Sequence, residues 1–158
     1  FMGIDRRMQI LGEHSINNHS CIYFDDYGHH PTEIEKTIEA IKDSYPDHKV
    51  VMVFQPHRYT RTKDLFHEFV QVLRQVDQLL LLDIYSAGED ELDGVDSDNL
   101  QKSLIDTGFD SVELIKDNQR VIDNIDKNID SDTVFVFQGA GDISAISQQI
   151  KSDFFSDG

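Results

Sequence analysis

Four short segments of the 158-residue sequence concentrate side chains that can bind anions, accept hydrogen bonds or transfer protons. They are residues 25–33 (DDYGHHPTE), 55–62 (QPHRYTRT), 85–89 (YSAGE) and 138–142 (QGAGD). Each segment directly follows an apolar run that is typical of a buried strand. Because ligands of open parallel sheets bind outside the carboxyl ends of the strands, we expect the four segments to form one site.

The first segment offers a carboxylate pair and a histidine pair. A carboxylate just past a strand end, such as Asp26, can accept both hydroxyl groups of a ribose. The alternative is a turn in which the carboxylates of Asp25 and Asp26 are solvated. His29 and His30 are poor metal ligands as a pair, because adjacent loop histidines rarely face one ion. No Cys or regularly spaced His completes a ligand set, so we predict no metal site.

The second segment places two arginines near the predicted start of a helix. Helix N-termini favour anions because their backbone N–H groups lack partners. Arg58 and Arg61 could therefore clamp a carboxylate or a phosphate through paired hydrogen bonds. Surface ion pairs with Asp64 or Glu68 are the alternative.

The fourth segment resembles the opening of a dinucleotide-binding fingerprint. Gly139 and Gly141 fit the fingerprint, but Ser144 stands at the third glycine position, so the pattern alone is weak. A tight strand-to-helix turn with Asp142 near the helix start explains the same residues. The sequence contains no GxxxxGK[ST] motif, the usual cradle for the phosphates of a nucleotide.

Apolar periodicity predicts the strands and helices that position these segments. The predicted strands are residues 8–11, 21–24, 50–54, 79–84, 112–115 and 134–137. Three of them (VVMVF, LLLLDI and VFVF) are apolar at every position, apart from Asp83 near the end of the second, as strands covered on both faces should be. A capping box formed by Thr32 and Glu35 predicts the start of the first helix. The element order predicts one three-layer, Rossmann-like α/β domain, with a mostly parallel sheet of about six strands and helices on both faces.

Composition narrows the possible functions. The chain has 14 Lys+Arg against 30 Asp+Glu, a net charge of −16, which argues against a nucleic-acid polymer as partner. No apolar run reaches the roughly 20 residues of a membrane span. Cys21 is the only cysteine and lies in a predicted core strand, which fits a packed residue in a cytoplasmic protein. The opening Phe1-Met2-Gly3 leads us to expect a piece of a longer chain.

Taken together, DDYGHHPTE, QPHRYTRT, YSAGE and QGAGD resemble the C-terminal domain of the Mur ligase family of peptidoglycan synthesis. The similarity spans nearly the whole chain, and residues 3–9 (GIDRRMQ) resemble the hinge that follows the family's central domain. The resemblance implies an ATP-dependent, Mg²⁺-requiring amide ligase that joins L-alanine to UDP-N-acetylmuramate through an acyl phosphate. It further implies that absent N-terminal and central domains hold the UDP-sugar, the P-loop and most Mg²⁺ ligands. Residues 1–158, with 1–7 as a hinge remnant, should then be inactive alone.

The resemblance also implies roles for individual residues. Asp26 would accept the ribose hydroxyls of ATP, with His29 beside the nucleotide. Arg7 would approach the phosphates when the domains close, which makes it the one candidate here for a catalytic role. The neighbours Asp25 and Arg6 are the alternatives to Asp26 and Arg7. The residues implied for the amino-acid substrate are Tyr27, His30, His57, Arg58 and Arg61.

Three other functions fit parts of the pattern. The family's ligase that recycles murein tripeptide has a similar first motif, but QPHRYTRT favours the alanine ligase. A nucleotide-binding module without catalysis is a second alternative, and it would have no P-loop domain encoded upstream. A receiver-like signalling domain would need a phospho-accepting aspartate after a middle strand, whereas Asp83 lies within its predicted strand.

Overall fold

The computed structural model describes residues 8–127 and 129–155 of the chain. The strands are β1 (Gln9–Ile16), β2 (His19–Asp26), β3 (Lys49–Phe54), β4 (Gln78–Leu82), β5 (Val112–Ile115) and β6 (Thr133–Gln138). The helices are α1 (Pro31–Ser44), α2 (Tyr59–Asp64), α3 (Phe66–Leu73), α4 (Ser97–Asp106), α5 (Asn118–Asn124) and α6 (Ile143–Phe155). All six predicted strands are present, and β5 has the predicted bounds, but β1 extends five residues further than predicted. Strand β4 ends at Leu82, so Asp83 follows the strand, and the prediction that it lies within the strand is wrong.

The strands form one six-stranded sheet in the order β1-β2-β6-β3-β4-β5. β1 pairs antiparallel with β2, and every other neighbouring pair is parallel. The β1–β2 hairpin turns through Asn17 and Asn18, whose φ angles of 53° and 68° lie in the left-handed region that asparagine tolerates. The mostly parallel α/β fold predicted from the sequence is therefore confirmed.

Helices cover both faces of the sheet. On one face, α1, α3 and α4 pack on the sheet through residues such as Ile38, Phe69 and Leu104. On the other face, α5 and α6 pack through residues such as Val121 and Ile146. Burying an aliphatic side chain contributes about 1.5–3 kcal/mol, so these faces fix the sheet and the positions of its strand ends. Cys21 belongs to the second core and is fully buried, as predicted.

Helix α1 begins at a different residue from the one predicted. The predicted capping box was Thr32 with Glu35, but the observed N-cap is His30 and its box partner is Glu33. Pro31 explains the shift, because proline has no N–H to lose and its fixed φ suits the first helical position. The helix therefore begins at Pro31, and a histidine ring serves as its cap.

The predicted helix after β3 is two helices. At Leu65, between α2 and α3, the backbone has φ −115° and ψ 22°. The short helix α2 carries the arginine motif, while α3 supplies the buried apolar face. Within the described residues, none of the helices is long and apolar enough to cross a membrane.

Candidate functional site

The four polar segments meet at one edge of the sheet. Asp26 at the end of β2 and Phe54 at the end of β3 both pair with Gln138 at the end of β6. Beyond the strand ends, His57 and Tyr85 form a further parallel bridge. Residues 25–33, 55–62, 85–89 and 138–142 thus share the carboxyl ends of neighbouring strands, and we call this edge the carboxyl rim.

Two histidines and two arginines lie together on the carboxyl rim, and we call His29, His57, Arg58 and Arg61 the cation cluster, after its two guanidinium groups. The rings of His29 and His57 lie 5.5 Å apart, centroid to centroid. Arg61 Nη1 donates to the carbonyl oxygen of His57 at 3.1 Å and lies 3.2 Å from His57 Nδ1. Tyr27, which is 39% exposed, places its ring 5.5 Å from that of His29. The structure therefore brings Tyr27 beside the cation cluster.

The surroundings of His57 lower the pKa of its imidazole. Burial of the imidazole lowers the pKa of His57 below its ordinary value of 6.5, and the nearby charges of His29, Arg61 and Arg58 lower it further. His57 is therefore neutral at neutral pH. Its Nδ1 is then able to accept a hydrogen bond from Arg61. A neutral ring keeps the positive charge on the two guanidinium groups.

Arg58 adopts an unusual backbone conformation. It is the N-cap of α2, with φ 77° and ψ 138°, a region that residues with a Cβ rarely occupy. Its guanidinium lies 3.9 Å from the carboxylate of Glu89. The sequence offered Asp64 or Glu68 as ion-pair partners, but the observed partner of Arg58 comes from the YSAGE segment. Strain of this kind persists only where surrounding contacts impose it.

Asp26 belongs to the carboxyl rim, but its side chain points into the protein. Its side chain is 0% exposed. Oδ2 accepts hydrogen bonds from Gln138 Nε2 at 2.6 Å, Thr37 Oγ1 at 3.0 Å and the Gly28 N–H at 3.1 Å. Oδ1 accepts from the Met8 N–H at 2.8 Å. Contact with a ribose stays a prediction, and it would require this loop to open. In the observed structure, these hydrogen bonds to the Asp26 carboxylate stabilise the loop that carries Tyr27 and His29.

His30 and Arg7 are the remaining predicted site residues. His30 is exposed, and its Nδ1 accepts the Thr32 N–H at 3.2 Å, so its ring is engaged as the cap of α1. Its role toward an amino acid stays a prediction. Arg7, with its neighbour Arg6, lies outside the described residues.

The glycine segment forms a tight strand-to-helix turn, the second of the two readings given above. Gln55 Oε1 accepts the N–H of Ile143, the first residue of α6, at 3.0 Å. Gly139 has φ 139°, and a Cβ there would stand 2.8 Å from the Gln55 carbonyl oxygen. Gln138 is fully buried, and its Oε1 is the one buried side-chain polar atom of the described residues that has no hydrogen-bond partner. Its amide therefore serves as a donor, to Asp26 and to the Gly28 carbonyl at 2.8 Å.

Replacing Gly139 by alanine should destabilise the domain by about 2–4 kcal/mol, because it adds a steric clash to an unfavourable φ. Gly108→Ala is the matched control. Gly108 also has a positive φ of 96°, but a Cβ there meets nothing within 4 Å, so the loss should be about 1–2 kcal/mol. Urea unfolding measures both values. Equal losses would show that the close approach of Gly139 to Gln55 is unimportant.

Sequence reasoning missed four residues that shape the rim. Gln55, Tyr85, Glu89 and Gln138 lie within the quoted motifs, but no role was given to any of them. Their positions just past strand ends were the available signal. The residues that they contact could not be predicted, because those residues lie far away in the sequence.

The fold and the rim together define a Rossmann-like α/β domain whose candidate site lies where the parallel strands end. The sequence agrees with one family of such domains. A family model described as "Mur ligase, glutamate ligase domain" matches residues 6–141. The chain belongs to the Mur ligase family.

Solved structures of two ligases resemble this chain. The first is UDP-N-acetylmuramate-alanine ligase from Thermotoga maritima, at 25% identity and a TM-score of 0.71, with 97% of this chain and 30% of that one covered. The second is a murein peptide ligase from Psychrobacter arcticus, at 20% identity and a TM-score of 0.66, with 92% of this chain and 29% of that one covered. The chain thus spans about 30% of the length of the Thermotoga ligase.

Proposed function

We propose that this chain is the C-terminal domain of an ATP-dependent ligase that joins L-alanine to UDP-N-acetylmuramate in peptidoglycan synthesis. The observation that carries the proposal is the cation cluster, which gathers two guanidinium groups beside a neutral imidazole on the carboxyl rim. The similarity to UDP-N-acetylmuramate-alanine ligase over 97% of the chain supports the choice of substrate.

In the proposed reaction, this domain binds and orients the amino acid. Arg58 and Arg61 face its carboxylate, which leaves the amino group free to attack. Guanidinium groups suit this task because they bind carboxylates in a fixed, bidentate geometry. Tyr27, exposed beside His29, would wall a pocket for a small side chain. Orienting the reactants can supply up to about 7–11 kcal/mol of the barrier, and closure of the domain over its partners would exclude water from the activated carboxylate.

The residues of this domain fit only part of a nucleotide site. ATP, when bound, supplies the phosphoryl group that activates the carboxylate of the sugar. His29 lies at the rim, where it would be beside the nucleotide. Both carboxylate oxygens of Asp26, by contrast, accept hydrogen bonds from donors of this chain. Among residues 8–127 and 129–155, no group of three or more His, Cys, Asp or Glu side chains is arranged to hold a metal ion. We propose, as the resemblance implies, that the Mg²⁺ ligands and the phosphate cradle belong mainly to the central domain of the intact ligase.

The test uses the intact protein encoded by the full reading frame, which we expect to include a P-loop domain upstream of this chain. With ATP, Mg²⁺ and UDP-N-acetylmuramate, phosphate release should depend on L-alanine. When the murein tripeptide is offered instead of L-alanine, together with UDP-N-acetylmuramate, no phosphate should be released. The tripeptide should not be joined to the sugar either. If the tripeptide is the substrate instead, the domain belongs to a recycling ligase and the substrate assignment is wrong.

The isolated 158-residue chain should release no phosphate from ATP when UDP-N-acetylmuramate and L-alanine are present. The reason is that the chain has the proposed amino-acid site but no GxxxxGK[ST] cradle for the nucleotide phosphates. A coupled phosphate assay measures this, with the intact protein as the positive control. Turnover by the isolated chain would contradict the proposal that three domains each contribute a part of the active site.

A further inference from the structure

The YSAGE segment, residues 85–89, is attached to the backbone of the arginine motif. Tyr85 N–H donates to the Pro56 carbonyl at 2.8 Å, and Arg58 N–H donates to the Tyr85 carbonyl at 2.7 Å. These bonds extend the pairing of β3 and β4 beyond the ends of both strands. They also fix the backbone on either side of His57. The unusual φ and ψ of Arg58 are therefore imposed partly by Tyr85.

The Tyr85 side chain supports the imidazole of His57. The two rings are stacked, with centroids 5.3 Å apart and an interplanar angle of 22°. The ring of Tyr85 also closes on Gly141, where an added Cβ would stand 2.6 Å from Tyr85 Cγ. Tyr85 is thus wedged between the glycine turn of β6–α6 and His57. A side chain in that place restricts how His57, and Arg61 bonded to it, can be oriented.

Glu89 fixes the other end of the arginine motif. The chain turns back through Ala87 and Gly88, whose φ angles are 52° and 88°, and this turn brings Glu89 to the start of α2. Its carboxylate accepts the Thr60 hydroxyl at 2.7 Å and the Thr60 N–H at 3.0 Å, while Arg58 Nη1 lies 3.9 Å away. The hydrogen bonds from Thr60 lower the pKa of Glu89, so the carboxylate stays ionised beside Arg58.

We propose that Tyr85 and Glu89 are positioning residues that orient the cation cluster for the carboxylate of the incoming amino acid. Tyr85 fixes the orientation of His57 by stacking on its ring, and thereby that of Arg61, which is bonded to His57. Glu89 fixes the orientation of Arg58 through its hydrogen bonds from Thr60, in the first turn of α2, and through the ion pair with Arg58 itself. This inference rests on the proposed function, because it assigns the oriented guanidinium groups to the amino-acid substrate.

The kinetic test compares Tyr85→Leu and Glu89→Ala in the intact ligase. We expect each to raise the KM for L-alanine by about tenfold to a hundredfold, because small displacements of positioned groups have effects of that size. The KM for ATP should stay within twofold of wild type. Tyr85→Phe, which keeps the stacking ring, should restore most of the affinity for L-alanine.

Two control variants separate positioning from general damage. Glu91→Gln removes an exposed carboxylate two residues from Glu89, and Tyr45→Leu removes a ring that packs against Phe24 and His48 far from the cation cluster. Both should leave the KM for L-alanine unchanged. The inference is overturned if Tyr85→Leu and Glu89→Ala leave that KM within twofold of wild type. It is also overturned if they raise both KM values equally.

A second readout distinguishes failure of this inference from failure of the proposed function. If the wild-type protein shows no alanine-dependent turnover, the proposed function is wrong, and NMR titration of His57 in the 158-residue chain then decides the positioning role. The titratable and charged groups facing His57 are His29, Arg58, Arg61 and Glu89. Glu89→Gln removes the one group that raises the pKa of His57, so that pKa should fall further. Tyr85→Leu exposes the ring, so the pKa should rise toward 6.5. Unchanged titration in both variants would overturn the inference.

Discussion

Arg61→Ala in the intact ligase is expected to weaken binding of the amino acid by about 2–5 kcal/mol, which corresponds to a rise of about 30-fold or more in its KM. The loss is large because the guanidinium is anchored at 3.1–3.2 Å on His57 and would meet a carboxylate that is withdrawn from water. Removing it leaves that carboxylate with one cation fewer. Initial rates at saturating ATP, with L-alanine varied, give the value.

Arg74→Ala is the matched control for Arg61→Ala. Arg74 ends α3, and its guanidinium donates to the Thr107 carbonyl, away from the carboxyl rim. The control should leave the KM for L-alanine unchanged. If Arg61→Ala changes only the kinetics of ATP, the anion that the cation cluster binds is a phosphate, and the assignment to the amino acid is wrong.

Asp26→Ala is expected to destabilise the domain by about 3–5 kcal/mol, because several hydrogen-bond donors lose the same buried acceptor group at once. The substitution removes the acceptor of Gln138 Nε2, of the Thr37 hydroxyl and of the N–H groups of Gly28 and Met8. Gln138 and Thr37 each keep one other acceptor, the carbonyl oxygens of Gly28 and Glu33. Each unsatisfied donor carries a desolvation cost of about 1–3 kcal/mol. For a domain of this size, the melting temperature should fall by about 10 °C.

The control for Asp26→Ala is Asp47→Ala, which removes an exposed carboxylate at the opposite edge of the sheet and should change stability by less than about 0.5 kcal/mol. Urea unfolding of the three proteins makes the comparison. An Asp26→Ala protein that unfolds at the wild-type midpoint would show that the network is energetically unimportant. In that case, a rise in the KM for ATP alone would support the ribose role that the resemblance implies for Asp26.

The sheet was predictable because its strands carry an unmistakable signal. Runs such as VVMVF and VFVF are apolar at every position, since strands between two helical layers are buried on both faces. The helix boundaries were less predictable, because competing caps lie close together. Thr32 is a good N-cap residue in general, but Pro31 favours a helix start two residues earlier and leaves the capping to His30.

The site was only partly predictable, because motif positions do not reveal side-chain partners. Strand ends predicted that the four segments would share one edge, and they do. The burial of Asp26 was not readable, since its shortest hydrogen bond comes from Gln138, 112 residues later. The ion pair of Arg58 with Glu89 was missed for the same reason, because the nearer acids Asp64 and Glu68 were the obvious candidates.

The claim that the cation cluster receives the carboxylate of the amino acid can be tested by a crystal structure. The intact ligase would be crystallised with L-alanine and a non-hydrolysable ATP analogue. We predict carboxylate oxygens of alanine within about 3 Å of the guanidinium groups of Arg58 and Arg61, the range of charge-assisted hydrogen bonds. An alanine bound elsewhere, with Arg58 and Arg61 facing a phosphate or only solvent, would contradict the account.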